Sequence, residues 1–178
     1  MRLQKGKRRS DLTASEILVL GAAFYRGSGS QYEMQKETLL SAGVLVPCLR
    51  KLKDAGLITV EKPGRRERRQ ISITTAGRSV LEEQWRKALD ENISDFEAVL
   101  KLCKVGEWIS LEEAIGFCQR AVEFRSKQLS FYERPDKVRE APILDSYSLA
   151  SYRELAKFHR LQGEEIVLRA LKKALIDD

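Results

Sequence analysis

Histidine and cysteine are scarce in this chain of 178 residues, which limits the chemistry that it can perform. There is one histidine, His159, and the three cysteines, Cys48, Cys103 and Cys118, lie far apart in the sequence. Structural zinc sites use closely spaced cysteine and histidine ligands, so this composition argues against one. We expect reduced thiols packed inside a cytoplasmic protein, the alternative being that one of them senses oxidants. The sequence predicts no cofactor and no metal.

Two further absences narrow the class of protein. The longest apolar stretch covers nine residues, from Ile17 to Tyr25, whereas a membrane-spanning helix needs about 20. There is also no glycine-rich phosphate loop, and the single histidine has no serine or cysteine nucleophile in a recognisable pairing. The sequence therefore predicts no membrane partner and no enzyme.

Positive charge is what the sequence has in excess, and it is confined to one part. Residues 1–70 hold 15 Lys and Arg against 7 Asp and Glu, a net charge of +8, while residues 71–178 hold 17 against 19, a net charge of −2. A basic part joined to a nearly neutral part indicates a polyanion-binding module attached to a second module. The basic run from Lys5 to Arg9 is either a free tail or an arm that follows a nucleic-acid groove.

The segment 39–78 has the order of elements of a winged helix. A helix with one apolar stripe is followed by a stop at Gly56, by strand-like runs at residues 57–60 and 70–73, and by a helix start at Thr74. The stripe consists of Leu45, Leu49 and Leu52. This order predicts a helix that can enter a DNA groove beside a projecting β-hairpin.

Helical periodicity predicts further helices on both sides of this segment. The predicted helices cover residues 13–25, 31–38 and about 41–55, then about 74–104, 110–132 and 146–175. Pro47 lies in the first turn of the third helix if Gly43 is its N-cap. If that helix starts earlier, Pro47 removes one hydrogen bond and bends it.

A cluster of positive side chains at the hairpin tip is the strongest functional signal. Arginine presents a planar fork that fits phosphate oxygens, and only Glu67 interrupts the cluster. The cluster consists of Lys62, Arg65, Arg66, Arg68 and Arg69. It predicts contacts that position the protein on a duplex, and binding that weakens steeply with salt. The alternative is a solvated tip.

The third helix is the predicted reader of base edges. Ser41, Arg50 and Lys51 can reach phosphates or guanine edges. Val44 and Val46 can touch thymine methyl groups. The open alternative is that both valines pack internally.

These segments together resemble the PadR family of bacterial transcriptional regulators. The likeness covers roughly the first 80 residues and follows the family's order of elements. It rests on residues 12–18, on Gln31–Tyr32–Glu33–Met34, on residues 40–49, on Gly56–Leu57–Ile58 and on residues 73–78. The segment 40–49 is similar to the family's Leu-Ser-Pro-Gly-Ser-Leu-Tyr-Pro-Ala-Leu, with Val44 and Val46 in place of the serine and the tyrosine.

The resemblance implies a winged-helix DNA-binding domain, a helical C-terminal domain used for dimerisation, and a repressor role. It places five residues near DNA: Tyr32, Ser41, Gly43, Val44 and Val46. It also implies a small, often aromatic effector. Aromatic residues of the helical part that could line an effector site, or simply form the core, are Trp85, Trp108, Tyr132 and Tyr147.

We therefore expect a mainly α fold, in which three helices and a two-stranded β-wing are followed by an all-helical dimerisation domain. The expected boundaries are a basic tail at residues 1–10, a DNA-binding domain at residues 11–80 and the helical domain at residues 81–178. The expected function is that of a cytoplasmic PadR-like regulator, a repressor that binds a roughly palindromic duplex site as a homodimer. The alternative is a winged-helix module that binds another protein and not DNA.

Overall fold

The computed structural model describes residues 11–61, 69–132 and 149–177 and divides the chain into two compact units between residues 88 and 89. In chain order the described elements are α1 (Ala14–Arg26), β1 (Ser28–Ser30), α2 (Gln31–Thr38), α3 (Ala42–Asp54), β2 (Ile58–Glu61), β3 (Gln70–Ile73), α4 (Thr75–Glu91), α5 (Phe96–Ile109), α6 (Leu111–Tyr132) and α7 (Leu149–Asp177). No described helix is long and apolar enough to cross a membrane.

Helices α1 and α2 both begin at capping boxes, which explains where they start. The Thr13 hydroxyl accepts a hydrogen bond from the Glu16 N–H, and the Glu16 carboxylate accepts one from the Thr13 N–H. Ser30 and Glu33 are paired in the same way at α2, which has the predicted bounds. Met34 buries α2 against the core, whereas Tyr32 on the same helix is exposed.

The sheet has three antiparallel strands in the order β1–β3–β2, one more than the sequence analysis expected. Strands β2 and β3 form the predicted hairpin. The additional strand β1 pairs Ser28 with Ser72 and Ser30 with Gln70. Glycine and serine have low strand propensity, so no local signal marks β1. The strand forms because Gly27, at a φ of 70°, ends α1 and redirects the chain.

Helix α3 is anchored by the predicted apolar stripe. Its buried side chains are Leu45, Cys48, Leu49 and Leu52. Its N-cap is Ser41 and not Gly43, so Pro47 lies inside the helix and beyond its first turn. The Gly43 carbonyl consequently lacks the N–H that would normally bond to it four residues later.

The end of α3 is joined directly to the start of α4. Gly56 adopts a φ of 72°, and the Leu57 N–H donates to the Leu52 carbonyl at 2.9 Å, which completes a Schellman motif. Thr74 caps α4 as predicted, because its hydroxyl oxygen accepts from the Gly77 N–H at 3.0 Å. The same hydroxyl donates to the Gly56 carbonyl at 2.8 Å. The residue that follows the wing is therefore hydrogen-bonded to the turn that ends α3.

The single helix predicted from residue 74 to about 104 is wrong, because the structure has two helices there. Helix α4 ends at Glu91, and α5 begins after Asp95, whose carboxylate accepts from the Ala98 N–H at 3.1 Å. Apolar residues recur at near-helical spacing on both sides of this break, which is why periodicity alone suggested one helix. Gly106, expected to end the helix, is buried inside α5.

Helix α6 packs against both α5 and α7 and carries the polar centre of the second unit. Ser110 caps α6 as predicted, accepting from the Glu113 N–H. Arg125 is 1% exposed, and its guanidinium donates to Glu164 at 2.7 Å and to the carbonyl of Ser94 at 2.9 Å. The next residue of α7, Glu165, accepts from the Ser126 hydroxyl, so two adjacent carboxylates of α7 bind side chains of α6.

None of the three cysteines forms a disulfide, and all three are buried, as predicted. The Cys118 thiol donates to the carbonyl of Leu168 on α7 at 3.3 Å. A hydrogen bond to Cys118, together with burial, raises the pKa of Cys103, which keeps that group a thiol. Cys103 and Cys118 thus pack in the core formed by α5, α6 and α7, whereas Cys48 packs on the buried side of α3.

Helix α7 carries two sets of apolar residues, one buried and one exposed. The buried set is Leu161, Leu168 and Leu175. The exposed set is Ala156, Val167, Ala170 and Ala174. The fold is mainly helical, with a winged helix followed by a helical unit.

Candidate nucleic-acid interface

The outward face of α3 is formed by residues that the core does not use. Gly43, Val46 and Arg50 lie opposite the buried stripe, and all three are exposed. Val46 is 37% exposed, and Val44, on the flank of this face, is 42% exposed. The alternative that both valines pack internally is therefore not what the structure shows. The helix offers a solvent-facing surface that combines apolar groups with one guanidinium.

The first turn of α3 leaves backbone donors open. The Ser41 side chain makes no capping hydrogen bond, and the N–H groups of Ala42 and Gly43 precede the first intrahelical donor positions. A Cβ on Gly43 would meet only the Ser41 hydroxyl, at 3.9 Å. Nothing inside the chain thus requires glycine at this position. Open N–H groups beside a residue without a side chain are suited to a phosphate that approaches the backbone closely.

Lys51 is exposed, but its ammonium group is paired with a carboxylate of α1. Its ammonium group lies 2.9 Å from the Glu16 carboxylate, and Glu16 is buried. Because the same carboxylate completes the capping box of α1, this ion pair ties α3 to the start of α1. The side chain predicted to contact DNA therefore positions α3 in the structure described here.

One member of the arginine cluster lies within the described residues. Arg69 immediately precedes β3 and is exposed. The other four members of the predicted cluster, Lys62, Arg65, Arg66 and Arg68, lie outside the described residues. The hairpin strands that bound the cluster, β2 and β3, are paired from Ile58 to Glu61.

Tyr32 and Arg69 line a shared groove at the start of α2. The groove has a volume of about 400 Å³ and is completed by Ser30 and Gln31. The Tyr32 ring is 57% exposed, and the Lys36 ammonium lies 5.4 Å from its centroid. The structure thus brings the predicted contact on α2 next to the described end of the wing.

A carboxylate next to this groove is bound by several donors. Glu33 accepts from the N–H and the hydroxyl of Ser30 and from Arg26, which also binds Glu37. The Ser30 N–H and hydroxyl, followed by the Arg26 charge, lower the pKa of Glu33. Glu33 therefore stays ionised, and Arg26 offsets only part of the negative charge of Glu33 and Glu37.

Leu39 is a surface residue that the sequence analysis did not select. It follows α2, has a φ of 55° in the left-handed region, and is 88% exposed. Among the described residues, no other non-glycine residue has a positive φ. Neighbouring Thr38 fixes the turn, because its hydroxyl donates to the Met34 carbonyl at 2.8 Å and accepts from the Leu40 N–H. No sequence signal marks Leu39, since the left-handed region normally favours glycine or asparagine.

Of the four aromatic residues considered for an effector site, Trp85 and Trp108 have described side chains. Trp85 is fully buried on α4, in the first unit. Trp108 lies on α5 in the second unit, half-buried, with the Lys104 ammonium 5.5 Å from its ring. The side chain of Tyr132 and all of Tyr147 lie outside the described part. No group of three or more metal-ligating side chains converges within the described ranges.

Comparisons with known proteins include a likeness to a solved structure. No protein-family model matches the sequence, and no curated protein matches it. A crystal structure of Bacillus subtilis PadR in complex with operator DNA is similar at 18% sequence identity and a TM-score of 0.32, covering 90% of this chain and 98% of that one.

Proposed function

We propose that this chain is a cytoplasmic, PadR-like transcriptional regulator that binds duplex DNA. The observation that carries the proposal is the outward face of α3, where Gly43, Val46 and Arg50 are exposed while the opposite stripe anchors the helix. An exposed helix beside a paired hairpin is the arrangement by which winged helices place one helix in the major groove. The motif resemblance and the +8 charge of residues 1–70 support the same partner.

In this proposal the contacts divide into two kinds. The arginine cluster of the wing and the open N–H groups of Ala42 and Gly43 bind phosphates, which positions the protein. Val44, Val46 and Arg50 face base edges in the major groove, where arginine pairs with guanine and apolar groups contact thymine methyls. The Lys51–Glu16 ion pair keeps α3 in a fixed orientation while these contacts form.

We further propose that the protein acts as a homodimer and represses transcription from a roughly palindromic site. The exposed side of α7 supports the dimer, because it carries Val167, Ala170 and Ala174 next to Ile166, which is 68% exposed. Such a face gains free energy when a second copy covers it. Two α3 helices related by a two-fold axis would then bind half-sites about one helical turn apart. Light scattering at micromolar concentration tests this, and a 20.3 kDa species alone would contradict the dimer.

The deciding experiment measures affinity for a random-sequence duplex as a function of salt concentration. The slope of log affinity against log salt is about −0.9 per phosphate contact, so replacing Arg65, Arg66, Arg68 and Arg69 by alanine should make it shallower by about 3 to 4. Arg120→Ala is the matched control, because this exposed arginine lies in the second unit. An unchanged slope in the quadruple variant would refute phosphate binding by the wing.

A protein-binding module is the second candidate function. It is favoured by the exposure of Val44 and Val46, since apolar side chains on a presented helix also suit a partner's groove. The same measurement separates the two, because a wild-type chain that binds no duplex at low salt is not a DNA-binding regulator.

The effector hypothesis now depends mainly on Trp108, the half-buried described candidate. A small aromatic ligand bound beside it should change tryptophan fluorescence. Trp108→Phe should abolish that change, whereas Trp85→Phe should preserve it.

A further inference from the structure

Leu39 occupies a position at which leucine benefits neither the backbone nor the core. A side chain with a Cβ is unfavourable in the left-handed region, where glycine is accommodated without strain. Its side chain is 88% exposed, so it buries almost no apolar surface inside the chain. The turn itself is held by neighbouring groups, the Thr38 hydroxyl and the bond from the Leu39 N–H to the Gln35 carbonyl. Any contribution of this side chain must therefore come from a molecule that binds to the protein surface at Leu39.

The location of Leu39 connects it with the candidate DNA surface. It lies two residues before Ser41, the N-cap of α3, and its side chain is exposed to solvent. The exposed side chains that follow in the first half of α3, Val44 and Val46, are apolar as well. In the major groove, the apolar group that base edges present is the C5 methyl of thymine. A short apolar series at the entry of α3 is thus complementary to thymine methyls.

We propose that Leu39 is a specificity-determining residue that contacts a thymine methyl group at the edge of the site bound by α3. This inference rests on the proposed function and extends it, since it assigns sequence preference to an apolar contact outside the helix. The strained backbone holds the side chain outward, and the binding of DNA covers it.

The test pairs a protein change with the removal of a single methyl group from DNA. A bound site is first selected from a random pool with the wild-type chain, and each thymine is then replaced by deoxyuracil in turn. At one thymine we expect wild-type affinity to fall about fourfold, which corresponds to the loss of one buried methyl-sized group. Leu39→Gly should bind the thymine site about tenfold more weakly than the wild-type chain and should no longer distinguish thymine from uracil there.

Two further variants make the result specific. Leu39→Asn tolerates the left-handed backbone but lacks the apolar surface, so it should lose the discrimination in the same way. Leu111→Ala removes another exposed leucine, in the second unit, and should retain wild-type discrimination. The melting temperature of Leu39→Gly should be equal to or higher than that of the wild-type chain, which excludes misfolding as the cause of weaker binding.

The possible failures are distinguishable. If the wild-type chain binds duplexes but Leu39→Gly keeps the same affinity and the same preference for thymine, this inference is overturned and the proposed function stands. Selected sites without a thymine whose methyl matters overturn it equally. If the wild-type chain binds no duplex at low salt, both proposals fail.

Discussion

Replacement of Gly77 by alanine should destabilise the first unit strongly, although alanine is the better helix former. Gly77 is the third residue of α4, where it approaches the chain that leaves α3. A Cβ at this position would lie 2.1 Å from the Leu57 carbonyl oxygen and 2.8 Å from the Ile73 Cγ1 atom. Ordinary contact distances exceed 3 Å, so the first turn of α4 would have to move by about 1 Å or more.

The magnitude follows from the bonds that such a movement breaks. The Leu57 carbonyl accepts from the Thr74 N–H at 3.0 Å and from the Thr74 hydroxyl at 3.1 Å, and that hydroxyl also caps Gly77. Three hydrogen bonds at about 1 kcal/mol each, plus about 1–3 kcal/mol of overpacking, oppose a gain of about 1 kcal/mol from helix propensity. The expected net loss is about 3–5 kcal/mol, a large part of the 5–15 kcal/mol typical of a domain.

Urea unfolding followed by the fluorescence of Trp85 measures this loss in the first unit. The chain has two tryptophans, so a Trp108→Phe background leaves buried Trp85 as the reporter. Gly116→Ala on α6 is the matched control, because a Cβ there would meet nothing within 4 Å, and it should stabilise by up to about 1 kcal/mol. A Gly77→Ala variant within about 0.5 kcal/mol of the background would refute the close-approach argument.

Three other changes test separate parts of the structure. Gly43→Ala should leave the melting temperature unchanged or higher, because the new methyl group would meet only the Ser41 hydroxyl, at an ordinary 3.9 Å. It should weaken duplex binding about tenfold or more, because the methyl group blocks a nearby phosphate. Equal binding in a gel-shift titration would contradict this. Arg125→Met should lower the free energy of unfolding of the second unit by about 3–5 kcal/mol, since Glu164 loses its buried partner. Circular-dichroism melts measure this loss, and adding Glu164→Gln to the variant should restore part of the stability. Glu33→Gln should destabilise the protein at pH 7, but progressively less as the pH falls below about 4.5. The reason is that a carboxylate whose pKa is lowered by folding stabilises the fold above the unfolded pKa, and this stabilisation is lost on acidification. A difference in urea midpoints between the variant and the wild-type chain that stays constant from pH 7 to about pH 3 would contradict this.

Local signals predicted the parts of the fold that depend on neighbouring residues. Thr13, Ser110 and Thr74 cap the helices that follow them, and Gly56 ends α3, because each of these interactions forms within a few residues. The apolar stripe of α3 was predictable for the same reason, since helical spacing alone places its leucines on one side. The bounds of α2 follow from a capping box of this kind.

Features that depend on distant partners were missed. Strand β1 forms because β3 supplies the hydrogen bonds, and its Ser-Gly-Ser sequence has no strand preference. The break before Asp95 was hidden because the apolar spacing continues across it. The buried pair of Arg125 and Glu164 joins residues 39 positions apart, and either side chain alone resembles an ordinary surface charge. In each case the deciding interaction comes from a segment that no short sequence window contains.

In the candidate site, too, some contacts can be predicted from composition and others depend on the folded structure. The two kinds differ in the distance over which they act. Phosphate contacts act over distances comparable to the Debye length of about 8–10 Å, so an arginine-rich tip can attract a duplex without a fixed geometry. Composition alone therefore reveals such a tip. A methyl contact is short-ranged and worth about 1 kcal/mol or less, so it discriminates bases only when the backbone that carries it is held in place. Helix α3 is held in place by its buried leucines, by the Lys51–Glu16 pair and by the hydrogen bond of Thr74 to the turn that ends the helix. In the proposed function, rigid placement of a few apolar side chains therefore supplies sequence preference through Val44 and Val46.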